Sequence, residues 1–490
     1  MFHLIKSHPA GLSTLFFTEM WERFSYYGMR ALLVLYLVNS LHVPRAEALS
    51  LYATYTALVY LTPILGGYIA DRWLGAHRAV LVGSMLMALG HFAMAIPSLL
   101  YIALGLLVAG NGFFKPNIST MVGELYGQGD QRRDGGFTIF YMGINLGAFL
   151  SPLICGTLGE KVGWHYGFAA AGVGMVFGMM IFVAGQRQRL SAITARDWQI
   201  SLSISLAVSL LVIGLVLFWP QFKPWWQSYS NGMQVLIGLS TLMLIGLVPR
   251  WLAQWVKTPH PLLAWLLINR HTSMNLQHHE RQRMVAIFIM ALFVIFFWMG
   301  FEQAGGTMNL FADKLTDRHI MGWEMPASYF QSVNPLLILL LAPLFAVLWS
   351  QLGNSRYALS VVSKQALGMI ILGSGFVVLA IAQQRAELLG QVGPGWLLLV
   401  YLLFTIGELC LSPIGLSMVT KLAPSQLVAF MMGIWFTAIA IASYLAGTLE
   451  QLIAHSGIPL YWFLVGSSMG AGVLLLLLNP LLKRLMHGEH

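Results

Sequence analysis

Long apolar runs alternate with short polar breaks along the chain, and most runs have the length of a membrane-crossing helix. About twenty consecutive apolar residues span the hydrocarbon of a bilayer as a helix. Fourteen such spans can be drawn: 12–39, 49–70, 78–97, 99–122, 136–158, 166–186, 198–219, 231–256, 284–311, 327–350, 358–383, 395–421, 427–449 and 459–486. The ten-residue alternation of a membrane β-strand is missing, which excludes an outer-membrane barrel. The pattern predicts an all-α polytopic membrane protein. The first ten residues carry no signal-peptide pattern, so the first apolar run reads as a retained span.

The polar breaks are uneven. The longest, 187–197 and 257–283, flank the seventh and eighth spans. This divides the chain into a six-helix bundle over 1–190, a linker over 191–283 with two inserted helices, and a second six-helix bundle over 284–490. Two six-helix halves are the layout of major facilitator transporters. The insert has no acid or lysine inside its spans and reads as peripheral packing.

Composition narrows the class further. The chain is 58% hydrophobic and 9% charged, whereas soluble domains carry about 25% charged residues. Its net charge of +9 follows from topology. Loops on the side of the termini hold most of the Lys and Arg. The opposite loops hold Arg45, Lys161, Lys223, Lys314, Arg318 and Arg385. The positive-inside rule then places both termini in the cytoplasm. No soluble basic domain is present to bind nucleic acid. Cys155 and Cys410 lie in apolar runs and read as core residues, without a disulfide or zinc role. The histidines fall in loops or near helix ends, and His278-His279-Glu280 reads as polar loop rather than metal site.

Seven charges remain inside spans: Arg23, Arg30, Lys115, Glu19, Glu22, Glu302 and Glu408. Each ionised group near a bilayer centre costs about 2.5–3.5 kcal/mol on insertion scales. On the first span Glu19, Glu22, Arg23, Tyr26, Tyr27 and Arg30 fall on an arc of about 140°. That face must look into protein or water. The four carboxylates sit on the first, ninth and twelfth spans, and Lys115 on the fourth. Charges on helices of both halves predict a shared central cavity. Three cations face four acids, so full pairing leaves one acid without a partner. A desolvated carboxylate with no partner takes a proton near neutral pH, and protonating a paired one releases its cation. Either event changes which helices attract each other, as a proton-driven switch requires.

Five motifs in order carry a resemblance: Glu19, Glu22 and Arg23 in Glu-x-x-Glu-Arg; "FFKPNIS" with Lys115; "RRDGGFTIFYMGINLGAF" from Arg132 to Phe149; "FFWMGFEQ" with Trp298 and Glu302; and "GELCLSP" with Glu408 and Ser412. With the Asp71-Arg72 loop after the second span, they resemble the proton-dependent oligopeptide transporters of the major facilitator superfamily, whose bacterial members commonly carry a two-helix insert.

The resemblance implies symport of protons with di- and tripeptides. Arg23, Arg30 and Lys115 match the family's side for the peptide carboxylate. Glu408 matches its amine partner, with Asn334 of "FQSVNP" beside it. Tyr27, Tyr60, Tyr141, Asn145, Trp298, Ser412 and Trp435 match pocket positions. Glu19, Glu22, Arg23, Lys115 and Glu302 are the proton-coupling set, with Glu302 ranked first as proton site. By the same resemblance an Arg30–Glu302 pair closes the periplasmic side, and Glu408 and Lys115 bridge in the cytoplasmic closure. It further implies no cofactor besides the proton, peptide-like drugs as additional ligands, action as a monomer, and residence in a bacterial inner membrane. Nitrate transport is disfavoured by the intact first-span motif. An intramembrane enzyme is disfavoured because no span offers His-Glu-x-x-His and the buried acids are spread among bases. A peptide-sensing receptor would need a soluble output domain.

Overall fold

Helix follows helix through this computed structural model, which describes residues 8–127, 130, 132–227, 277–353, 359–424 and 427–487. The first half comprises α1 (Gly11–Leu35), α2 (Arg45–Ile69), α3 (Ala76–Ala93), α4 (Leu100–Glu124), α5 (Arg133–Thr157) and α6 (Trp164–Gly185). A short α7 (Arg187–Ser191) leads to α8 (Ala195–Gln227) of the insert. The second half comprises α9 (His278–Phe301), its continuation α10 (Thr307–Lys314), α11 (Val333–Gly353), α12 (Val361–Leu389), α13 (Gly395–Leu422), α14 (Val428–Ile453) and α15 (Leu460–Met486). Thirteen predicted spans are thus helical. The eighth, 231–256, lies outside the described residues. A small antiparallel hairpin, β1 (His319–Ile320) and β2 (Trp323–Glu324), sits between α10 and α11.

Several helix limits follow local chemistry rather than hydropathy. Gln277 and Glu280 form a reciprocal capping box that starts α9. His278, His279 and Glu280 are therefore the first turn of a helix, not a loop. Polar residues remain helical beyond the lipid when their first N–H groups are capped. Ser360 caps α12 singly, its hydroxyl accepting the Ser363 N–H at 3.1 Å. His91 also differs from a solvated helix-end residue. It is fully buried in α3, and neither ring nitrogen has a hydrogen-bond partner.

The helix that carries Lys115 is shaped by a proline. Pro116 has no N–H to give to the Gly112 carbonyl one turn earlier. That freed carbonyl faces Gly66 of α2, where a Cβ would overlap it. Glycine there lets α2 and α4 meet backbone to backbone. The described helix of the insert packs on one side of the first half: α8 lies on α3 and α4, with Ile213 against Gly105.

The two halves are joined at the end of the bundle remote from the termini. Asn39 donates to Asp313 at 2.9 Å, and Arg45 pairs with Glu450 at 3.1 Å. Arg318, 9% exposed, reaches Glu324 at 2.9 Å, Asp313 at 3.3 Å and Glu160 at 4.0 Å. Lys161 also holds Glu324, at 2.9 Å. Glu160 in turn accepts the backbone N–H groups of Ala327 and Ser328 at 2.7 and 2.9 Å. Next to these charges α14 lies directly on α2, because Gly447 has no Cβ to strike the Leu49 carbonyl and Ala53.

Candidate transport site

Arg30 stands where α1 passes closest to the end of α9. Its Nη2 donates to Glu302 Oε2 at 2.6 Å, and its Nε to Tyr52 Oη at 2.6 Å. Both charges are buried, at 7% and 2% exposure. Glu302 opens a 3-10 turn that ends α9, and the next residue pins that turn: Gln303 Nε2 donates to the Ala446 carbonyl of α14 at 2.8 Å. The Arg30–Glu302 pair therefore links the two halves through a turn already fixed to a third helix.

A second charged cluster surrounds the lower part of α1. Arg23 donates from two nitrogens to the two carboxylate oxygens of Glu22, and its Nε lies 3.5 Å from Glu19 Oε1. Lys115 Nζ donates to the same Glu19 oxygen. Glu19 and Glu22 are fully buried. The other Glu19 oxygen, Oε2, is enclosed and has no hydrogen-bond partner. Two cations and two carboxylates balance here, while the Arg23 guanidinium lies over the Tyr26 ring, 4.9 Å from its centroid.

Glu408 is different. Its carboxylate accepts from Asn334 Nδ2 at 2.9 Å, and Asn334 also donates to Thr405 Oγ1 at 3.0 Å. Among the described residues no cation pairs with it. The acid left over by counting charges is therefore Glu408. Lys115 and Glu408 are not bridged in this conformation. Lys115 is held by Glu19 within its own half and Glu408 by Asn334 within the other, while the ion pairs between halves lie at the opposite end.

A cavity of about 190 Å³ lies between the halves. Its walls bring together Tyr27, Arg30, Tyr60, Tyr141, Asn145, Trp298, Glu302, Asn334, Glu408 and Ser412. Tyr141, on this wall, is 42% exposed. Five residues singled out from the sequence are not on the walls. Glu19, Glu22, Arg23 and Lys115 form the balanced cluster described above. Trp435 is 2% exposed and turns its ring onto Gly415 of α13. Other wall residues were not singled out from the sequence: Gln331 and Phe301, although both lie inside quoted motifs, and Tyr401 and Phe404. Gln331 lies inside "FQSVNP", three residues before Asn334, and that spacing is the signal that could have found it.

The POT family matches residues 77–461. The chain belongs to the POT family. The peptide transporter YePEPT of Yersinia enterocolitica is 36% identical over 98% of this chain and 96% of that protein. A di-/tripeptide transporter of Lactococcus lactis is 34% identical over 97% and 96%. Among solved structures, a mutant peptide transporter POT in complex with alafosfalin is 36% identical, with a TM-score of 0.77 over 98% of this chain and 96% of that one. A POT family transporter in complex with 5-aminolevulinic acid is 31% identical, with a TM-score of 0.77 over 97% of each chain. This POT family member is a multi-pass membrane transporter on the major facilitator fold, not an enzyme.

Proposed function

We propose that this transporter imports di- and tripeptides with protons across a bacterial cytoplasmic membrane, by alternating access, with both termini in the cytoplasm. The observation that carries this reading is the charge state of the cavity. It holds a lone acid, Glu408, and a cation, Arg30, whose charge is taken up by Glu302. A peptide is a zwitterion and needs one group of each sign. Glu408 is available to its amine. Arg30 becomes available to its carboxylate only when Glu302 is neutralised. Proton and peptide are then required together, which is the condition for symport. Protonation of Glu19 or Glu22 would release Lys115 or Arg23 in the same way, adding cations to the carboxylate side.

The aromatic walls suit this substrate class. Tyr27, Tyr60, Tyr141 and Trp298 offer apolar area with little directional demand, which tolerates varied side chains. Peptide-like drugs of the same charge pattern fit the same terms. The coupling ion is the proton, no other cofactor enters the scheme, and the cavity is complete within one chain. In this reading the end closed by Arg30–Glu302 and the Arg318 network is the periplasmic one, and the cavity faces the cytoplasm.

The test is uptake of labelled dialanine into proteoliposomes, acidic outside and negative inside. Accumulation that collapses with a protonophore supports proton-coupled peptide symport. Folded protein that takes up no dialanine overturns the reading.

A further inference from the structure

A second cavity opens at the end of the bundle where α1 begins, away from the substrate cavity. It measures about 190 Å³ and is lined by Leu74, Gly75, His77, Arg78, Arg189 and Ile193. That is far above the roughly 15 Å³ that admits one water. Leu74 to Arg78 is the passage from α2 into α3, while Arg189 and Ile193 belong to the segment that joins α6 to α8.

The two arginines of this cavity differ. Arg78 is committed to the protein: its Nη1 donates to the Asp197 carbonyl at 3.0 Å and to Ser201 Oγ at 3.3 Å, and its Nη2 to the Trp73 carbonyl at 3.1 Å. The Asp197 carboxylate, 3.5 Å away, answers its charge. Arg189 Nη1 donates to His77 Nε2 at 3.1 Å. A guanidinium offers no acceptor, so that ring nitrogen carries no proton and the imidazole is neutral. Among the described residues no carboxylate pairs with Arg189. Arg187 and Arg196 lie on the same segment, where Asp197 is the single acid. Glu124 is a further acid whose field reaches His77, and the positive sign still prevails.

Position adds to charge. α3 and α8 begin beside this cavity and α6 ends beside it, which puts it at the depth of lipid headgroups. Val183 of α6 and Ile200 of α8, close to those helix ends, are exposed and offer apolar surface to acyl chains. An arginine fork matches two phosphate oxygens at once, and basic pockets between membrane helices suit acidic headgroups.

We infer that this cavity is a phosphate-binding site in which Arg189 grips the anion and Arg78 forms the wall that joins α3 to α8. An acidic phospholipid headgroup and free phosphate share this chemistry, and the depth of the cavity favours the headgroup. Occupation ties the linker to the first half of the transporter. The inference is independent of which substrate is carried.

The experiment follows thermal unfolding of the purified full-length protein while dihexanoyl phosphatidylglycerol, dihexanoyl phosphatidylcholine or inorganic phosphate is titrated in at matched ionic strength. The phosphatidylglycerol should raise the wild-type Tm saturably, and the phosphatidylcholine, whose ammonium offsets its phosphate, should do so weakly. Arg189→Gln should weaken the phosphatidylglycerol Kd about tenfold or more, the worth of a charge-assisted hydrogen bond. Arg189→Lys, which keeps the charge without the fork, should fall between. Arg385→Gln loses the same charge at the opposite end and should bind as wild type does. Inorganic phosphate that matches phosphatidylglycerol in wild type and fails in Arg189→Gln upholds the site with free phosphate as its occupant. No saturable shift with either anion in wild type, or a phosphatidylglycerol Kd that Arg189→Gln leaves unchanged, overturns the assignment.

Discussion

Arg30 Nη2 and Glu302 Oε2 meet at 2.6 Å across the boundary between the two halves, inside the cavity wall itself. Whatever neutralises Glu302 must therefore act on substrate binding and on closure together. Removing one member of a buried pair costs about 3–5 kcal/mol, because the other charge is left unpaired. Glu302→Gln imitates the neutral state permanently. It should lose accumulation of dialanine against its gradient while keeping exchange of peptide between the two sides. Counterflow measured beside gradient-driven uptake separates these. Concentrative uptake by Glu302→Gln would remove Glu302 from the proton path.

Glu408 faces the cavity with an amide partner and, among the described residues, no cation. If it holds the peptide amine, acetylating that amine should cost the wild type about 10- to 100-fold in affinity, the worth of a charge-assisted hydrogen bond. In Glu408→Gln the acetylated and free peptides should compete for uptake almost equally. A full acetylation penalty in that variant would place the amine elsewhere.

Lys115 shares Glu19 with Arg23. Lys115→Ala removes the cation that Glu19 shares with Arg23 and leaves two carboxylates facing a single cation. Proton-driven uptake should then fall to the level set by the peptide gradient, with binding retained. Normal accumulation would exclude Lys115 from coupling.

Glu324's part in the clamp at the end remote from the termini should be indifferent to pH over the working range. The hydrogen bond from Lys161 holds the Glu324 carboxyl below its ordinary value of 4.5, and Arg318 adds to the effect. A depressed acid stabilises the clamped form fully above its ordinary value, and that contribution fades as pH falls through the lower value. Between pH 5 and 8 Glu324 stays charged. Glu324→Gln should therefore alter the uptake rate without moving the midpoint of its pH dependence. A shifted midpoint would assign the pH response to the clamp instead of the cavity.

What could be read from the chain was what lipid makes expensive. Glu19, Glu22, Arg23, Arg30, Lys115, Glu302 and Glu408 stood out because each interrupts an apolar run. Their pairing was less legible, since it depends on which end of the bundle is closed. That is why Lys115 meets Glu19 here rather than Glu408. Trp435 was singled out by motif position, but its ring turns to fill the space over Gly415. Gln331 escaped notice because a neutral amide beside a helix start carries no strong hydropathy signal. The start of α9 at His278 fell before the expected 284 for a related reason. Hydropathy marks where lipid begins, whereas the capping box marks where the helix begins.

Gly447 has one more consequence. Where α14 rests on the Leu49 backbone, the closed end presents smooth surfaces to each other. At Gly447 itself no side chain has to be unthreaded when the halves separate; the side chains that cross beside it are Arg45, which pairs with Glu450, and Gln451, which donates to the Ala46 carbonyl. A seam of this kind offers little friction in either direction. The pace of the cycle is then left to the charges beside it, and a large side chain at Gly447 would act as a doorstop.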